Sequence, residues 1–154
     1  MATTPQILIV GAGPCGMTAA LELVRRGFAP RIIDREKGPT PLSKAVGISP
    51  RSLEILEPTG VTERLLARGV RMQAVQARYE GDLLAAIDLS RLPHRFNFLL
   101  SLPQSETETI MEAVLADLGV RVEWNAELKA IRLAGDQVEA ELDGAAGGTF
   151  DKVF

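Results

Sequence analysis

Apolar positions along this chain fall into short runs punctuated by glycine, proline and charge. Ile7-Leu8-Ile9-Val10 is a continuous apolar run bounded by Gly11, the pattern of a buried parallel strand. Met17, Ala20, Leu21 and Val24 then recur at helical spacing, and Gly27 ends the segment. Arg31-Ile32-Ile33-Asp34 is a second short run, so the stretch predicts a strand–helix–strand unit.

Residues 35–41 read as a loop, continued by 43–48, where Lys44 and Gly47 stand out. Ser49-Pro50 predicts a capped helix over 50–56 that buries Leu53, Ile55 or Leu56. Pro58 and Gly60 break it, and a second short helix is expected from Thr62 to Arg68, ending at Gly69. Ala74 to Tyr79 and Leu83 to Leu89 are strand-like about a turn at Glu80-Gly81-Asp82, and Phe96 to Leu102 is a third strand-like run. Residues 72–99 are therefore expected to leave the main domain (1–71 and 100–154) as a β excursion into a separate sheet.

Ser105-Glu106-Thr107-Glu108 fits a capping box, with Ser105 at the cap. Ile110, Met111, Val114, Leu115 and Leu118 follow as a helix face that Gly119 ends. Three segments come next: Val120, Val122 and Trp124; Leu128 to Leu133; and Val138, Ala140 and Leu142. Their alternation predicts an antiparallel meander, with a turn at Gly147-Gly148 before a last run. The sequence stops at Asp151-Lys152-Val153-Phe154, within what reads as the start of a strand, the pattern expected of a piece of a longer protein.

Composition narrows the function classes. The 154 residues are 46% hydrophobic and 24% charged, ordinary for a soluble globular chain. A net charge of -3 gives no footprint for nucleic acid. No apolar run approaches the roughly 18 residues of a membrane span, and no signal peptide is apparent, so a reducing, cytoplasmic setting is expected. One cysteine and one histidine leave no disulfide framework and no cysteine or histidine metal cluster. That histidine, His94, follows Pro93 in an expected loop and reads as a solvated side chain rather than a base.

The chemistry is concentrated after the first strand. Gly11-Ala12-Gly13-Pro14-Cys15-Gly16 leaves a strand and opens a helix with G-x-G-x-x-G spacing, and Asp34 lies near the offset expected of a ribose-binding acid. In such a unit Gly11 permits the turn, Gly13 lets the backbone approach a pyrophosphate, and Gly16 lets the helix pack on the strand. The helix N-terminus offers unpaired N–H groups to that anion. Asp34 can accept from ribose hydroxyls and repels a 2′-phosphate. Cys15 occupies a variable position, where packing is the expected role.

Several of these stretches together resemble the class A flavin-dependent monooxygenases, the p-hydroxybenzoate-hydroxylase-like aromatic hydroxylases. The resemblance is carried by Gly11 to Asp34, by Lys44-Ala45-Val46-Gly47-Ile48-Ser49-Pro50-Arg51-Ser52-Leu53-Glu54-Ile55-Leu56 and Gly60-Val61, and by Leu102-Pro103-Gln104-Ser105-Glu106-Thr107-Glu108 with Leu118-Gly119-Val120. It implies an α/β, Rossmann-like three-layer FAD-binding fold of parallel sheet, helices and antiparallel meander. It implies FAD at the glycine loop, Asp34 on the adenosine ribose, Arg35 beside the adenine, and the backbone of Leu128 bordering that base. Arg35 read alone would also suit a 2′-phosphate. Lys44 stands where the family usually has an arginine near the flavin. Gln104 matches a glutamine beside the ribityl chain, although its pattern alone reads as a polar residue before a helix.

The resemblance further implies an NAD(P)H-using monooxygenase in which a flavin hydroperoxide delivers one atom of molecular oxygen to a phenolic or related aromatic substrate. A homodimer is compatible with it. The family's second flavin motif falls beyond Phe154, so the 154-residue chain alone is expected to be inactive, and no catalytic residue is assigned within it. The residues read alone leave two alternatives: a flavin- or nicotinamide-dependent reductase without oxygenation, and a non-catalytic dinucleotide-binding module.

Overall fold

A computed structural model describes residues 7–41 and 47–154. The chain runs β1 (Ile7–Val10), α1 (Pro14–Arg25), β2 (Arg31–Asp34), β3 (Gly47–Ile48), α2 (Pro50–Leu56), α3 (Val61–Leu66), β4 (Val70–Met72), β5 (Ala74–Tyr79) and β6 (Asp82–Asp88). It continues with β7 (Leu99–Ser101), α4 (Gln104–Asp117), β8 (Val122–Trp124), β9 (Glu127–Ala134), β10 (Gln137–Asp143), β11 (Gly148–Phe150) and β12 (Lys152–Val153). Two units separate, 1–41 with 108–154 and 42–107.

The first unit is the expected three-layer α/β arrangement. Its parallel sheet has the order β12-β1-β2-β8. Ile9 and Ile32 are paired and buried on the α1 side, with Met17, Ala20 and Leu21 of the helix. Leu8 and Ile33 turn to the opposite face and join Ala126, Ala140 and Phe150 of the meander β11-β10-β9 in a second core. Successive residues of a strand face opposite sides, which is how four-residue strands serve both layers.

The meander forms, but its membership differs from the expectation. Val122–Trp124 pairs parallel with β2, and the third meander strand is β11. A three-residue strand reached through a helix makes a parallel crossover, whereas β9 and β10 are joined by a short turn. The last run is also divided at Asp151: β11 pairs with β10, and β12 pairs with β1.

In the second unit, β3-β7-β4 is a small antiparallel sheet. The expected cap is present, with Ser52 N–H donating to Ser49 Oγ at 3.1 Å. Leu53 and Leu56 are buried while Ile55 is exposed. Thr62, also buried, donates to the Leu53 carbonyl at 2.6 Å and ties α3 to α2. Within the run 96–102 only 99–101 is strand; Phe96 and Phe98 are instead buried edge to face, 6.2 Å between centroids. Residues 72–99 lie wholly inside this unit, which also takes in 42–71 because β3 and β4 both pair with β7. The β5–β6 hairpin turns through Glu80 (φ 49°) and Gly81 (φ 95°), so Asp82 belongs to the strand rather than to the turn. His94 is held in place: its Nδ1 accepts from Phe96 N–H at 3.0 Å, and Nε2 lies 3.6 Å from Glu54.

Arg31 ties β2 to β8 and to the loop before β11. Arg31 is bidentate to Glu123 of the neighbouring strand at 2.7 and 2.6 Å, and its third nitrogen donates to the Ala146 carbonyl at 2.6 Å. Removing the fork leaves partners unsatisfied. Arg31→Ala is expected to lower the unfolding free energy by about 1–2 kcal/mol, the lower part of the usual range because Glu123 is half exposed. Urea denaturation measures it, and a cycle with Glu123→Gln should show that most of the loss is shared by the pair.

Candidate functional site

Helix α1 begins without a side-chain cap. Gly13 is its N-cap, Pro14 stands in the first turn, and no side chain accepts from the opening amides. The first bond of the helix runs from Met17 N–H to the Gly13 carbonyl at 3.0 Å, so the N–H groups of Cys15 and Gly16 precede it. These are the donors that a helix leaves for an anion.

The glycines do what that arrangement needs. Gly11 adopts φ 106°, which a side chain resists, and its N–H donates to the Ile33 carbonyl at 2.8 Å. A Cβ on Gly16 would stand 1.9 Å from the Gly11 carbonyl oxygen. A Cβ on Gly13 would meet nothing within 4 Å, so the space beside that residue is open. An open space over uncapped amides fits a diphosphate.

Asp34 ends β2 beside this loop. Its Oδ2 accepts from Ala12 N–H at 2.7 Å and its Oδ1 from Glu36 N–H at 2.8 Å. The carbonyls of Asp34 and Glu36 accept in turn from Ala126 and Asn125, at 2.9 and 2.8 Å, which fixes the corner between β8 and β9. The result is a groove of about 350 Å³ lined by Val10, Gly11, Asp34, Arg35, Ala126, Glu127 and Leu128. Four residues singled out from sequence, Gly11, Asp34, Arg35 and Leu128, meet there. Val10, Ala126 and Glu127 were not singled out; they come from strand ends far apart in sequence, and no local pattern marks them.

Charge at the groove is mixed. Lys129, 2.6 Å from Glu127, holds that carboxyl below the ordinary range, and Arg35 adds to the pull. Arg35 is exposed, 3.7 Å from Glu36. Among the other residues singled out, Ala12 is buried, Gly13 and Pro14 are half-buried, and Cys15 is exposed rather than packed. Gln104 is the half-buried first residue of α4, in the second unit. Lys44 lies outside the described residues. Ser105 sits inside α4 rather than at its cap, since Thr107 N–H already donates to the Pro103 carbonyl at 3.0 Å. A carboxylate oxygen of Glu108 accepts from Thr40 N–H at 2.8 Å. Among the described residues no group of histidine, cysteine and acid side chains is placed to hold a metal, and no helix is long and apolar enough to cross a membrane.

A parallel sheet with α1 on one face, a meander on the other and an uncapped glycine turn between strand and helix defines a dinucleotide-binding domain of the FAD type. The chain belongs to the FAD binding domain family, whose model matches residues 4–153. It is 43% identical over 140 residues to 6-methylpretetramide 4-monooxygenase of Streptomyces rimosus, covering 90% of this chain and 25% of that protein. It is 37% identical over 138 residues to pentachlorophenol 4-monooxygenase of Sphingobium chlorophenolicum, covering 88% of this chain and 26% of the relative. The crystal structure of p-nitrophenol 4-monooxygenase from Pseudomonas putida DLL-E4 superposes with a TM-score of 0.88 at 26% identity, over 99% of this chain and 40% of that one. The chain thus spans about a quarter of the length of these curated relatives.

The open space at Gly13 generates a test. Gly13→Val is expected to fold as the parent does, because nothing lies within 4 Å of where its Cβ would stand, yet to bind ADP and FAD at least about tenfold more weakly by filling the diphosphate's place. Circular dichroism checks the fold and fluorescence quenching of FAD checks the affinity.

Proposed function

We propose that this chain is the ADP-binding part of an FAD-dependent monooxygenase that hydroxylates a phenolic or related aromatic substrate, with NAD(P)H as reductant. The observation that carries the reading is the Ala12 N–H bond to Asp34, which ties the loop ahead of the uncapped α1 terminus to a groove edged by Gly11, Asp34 and Leu128. The names of the relatives support the substrate class. The amides of Gly13, Cys15 and Gly16 hold the pyrophosphate, with Ala12 and Pro14 shaping the loop around it. Asp34 accepts from the adenosine ribose, and Arg35 and the Leu128 backbone flank the adenine. Lys44 and Gln104 are assigned to the flavin half on the resemblance alone.

Bound FAD would supply the redox chemistry by which NAD(P)H and molecular oxygen give a hydroxylated ring and water. The chain's contribution is to anchor and orient the cofactor by its nucleotide end. Residues 72–99 are assigned to a substrate-side sheet and the protein to the cytoplasm.

The test uses the full-length protein that carries this chain. It is expected to purify with a flavin absorbance band. With NAD(P)H, oxygen and a panel of phenols it should yield a product one oxygen heavier, with reductant consumed in step. Peroxide without hydroxylated product from any phenol would favour the reductase reading, and absence of flavin would favour a non-catalytic module. The 154-residue chain by itself is expected to hydroxylate no phenol.

A further inference from the structure

We propose that Asp34 is also a latch that holds the glycine loop in its diphosphate-binding shape, a positioning role separate from any contact with ribose; the inference rests on the groove being an ADP site. Between Gly11, whose N–H is taken by the Ile33 carbonyl, and the first helical bond at Gly13, the backbone has one tie to the rest of the unit in the described hydrogen bonds. That tie is Ala12 N–H to Asp34 Oδ2, at 2.7 Å. Ala12 is 2% exposed with Asp34 in place, so the bonded N–H is shielded from solvent. Gly11 and Gly13 flank it, and neither has a side chain to hold the turn by packing. The second oxygen, Oδ1, is steadied by Glu36 N–H, which fixes the carboxylate in the orientation the latch requires.

Each carboxylate oxygen has capacity for a second donor. Asp34 can therefore keep the latch closed while accepting from ribose hydroxyls. The two roles add: the latch sets the loop before the nucleotide arrives, so binding does not have to order it.

A thermodynamic cycle separates the roles. ADP and 2′,3′-dideoxy-ADP are titrated into the 154-residue chain and into Asp34→Ala, followed by amide chemical shifts. A residue that serves only ribose makes no difference to a nucleotide lacking both hydroxyls. The latch predicts instead that Asp34→Ala binds 2′,3′-dideoxy-ADP roughly fivefold or more weakly than the parent. Amide exchange at Ala12 should be slow in the parent and fast in the variant, with other β1 and β2 amides unchanged, which distinguishes loss of the latch from general unfolding. Asp34→Asn keeps one acceptor and should lie between the two; it supplies the cycle if the alanine variant does not fold. Equal affinities of parent and variant for 2′,3′-dideoxy-ADP would overturn the latch and leave the nucleotide site standing. A parent chain that binds neither nucleotide would overturn the site, and with it the purpose assigned to the latch.

Discussion

No side chain fits between the carbonyl of Gly11 and the first turn of α1. A methyl group at position 16 would sit far inside the van der Waals contact distance to that oxygen. Everything at the candidate site follows from this close approach. It brings the start of the helix against the end of β1, where its free amides open onto the same face as the end of β2. With a larger residue the helix would have to lift away, and the amides, the aspartate and the groove would no longer share one surface. Position 13 has the opposite need: glycine there leaves space rather than removing a collision.

The second dependency is a relay of backbone hydrogen bonds at the end of β2. Asp34 and Glu36 offer their carbonyls to Ala126 and Asn125, and Asn125 accepts a left-handed conformation (φ 56°) to reach them. Gly144 comes so close to the Asn125 carbonyl that a Cβ would stand 1.9 Å away. The meander is thus tied to the sheet by backbone contacts at its corner, while Leu8, Ile33 and Phe150 fill the space between. Leu128 borders the groove because of where that corner is pinned.

What was legible in the sequence was what is encoded locally. The β1–α1–β2 unit announces itself through a change from an apolar run to helical spacing across a glycine turn. The Ser49 cap and the Glu80-Gly81 turn are equally self-contained. Elements that depend on distant partners were not legible in this way. Val122 to Trp124 alternates as a meander strand does, and only its parallel neighbour β2 decides its place. Ser105 and Glu108 have capping-box spacing, but the Pro103 carbonyl starts the helix and a Glu108 oxygen meets Thr40. Phe96 and Phe98 read as strand because aromatic residues favour sheets, yet both are buried outside any strand, with their rings edge to face. At the site, the glycines and Asp34 could be read from spacing; Ala126 and Glu127 could not, since the topology alone brings them there.

The pairing of β12 with β1 has a consequence for how the protein is made. Ile7 lies beside Lys152, so β1 finds one of its two neighbours only after a long stretch of further sequence has emerged from the ribosome. Closing so long a loop costs entropy before the contact rewards it. Until then β1 has β2 on one side and an open row of backbone groups on the other. Topologies dominated by such distant pairings fold slowly, and the nascent sheet stays open to wrong partners until β12 has been made. The sheet that carries the nucleotide loop is therefore closed late relative to its own β1–α1–β2 unit, since β12 follows the whole meander.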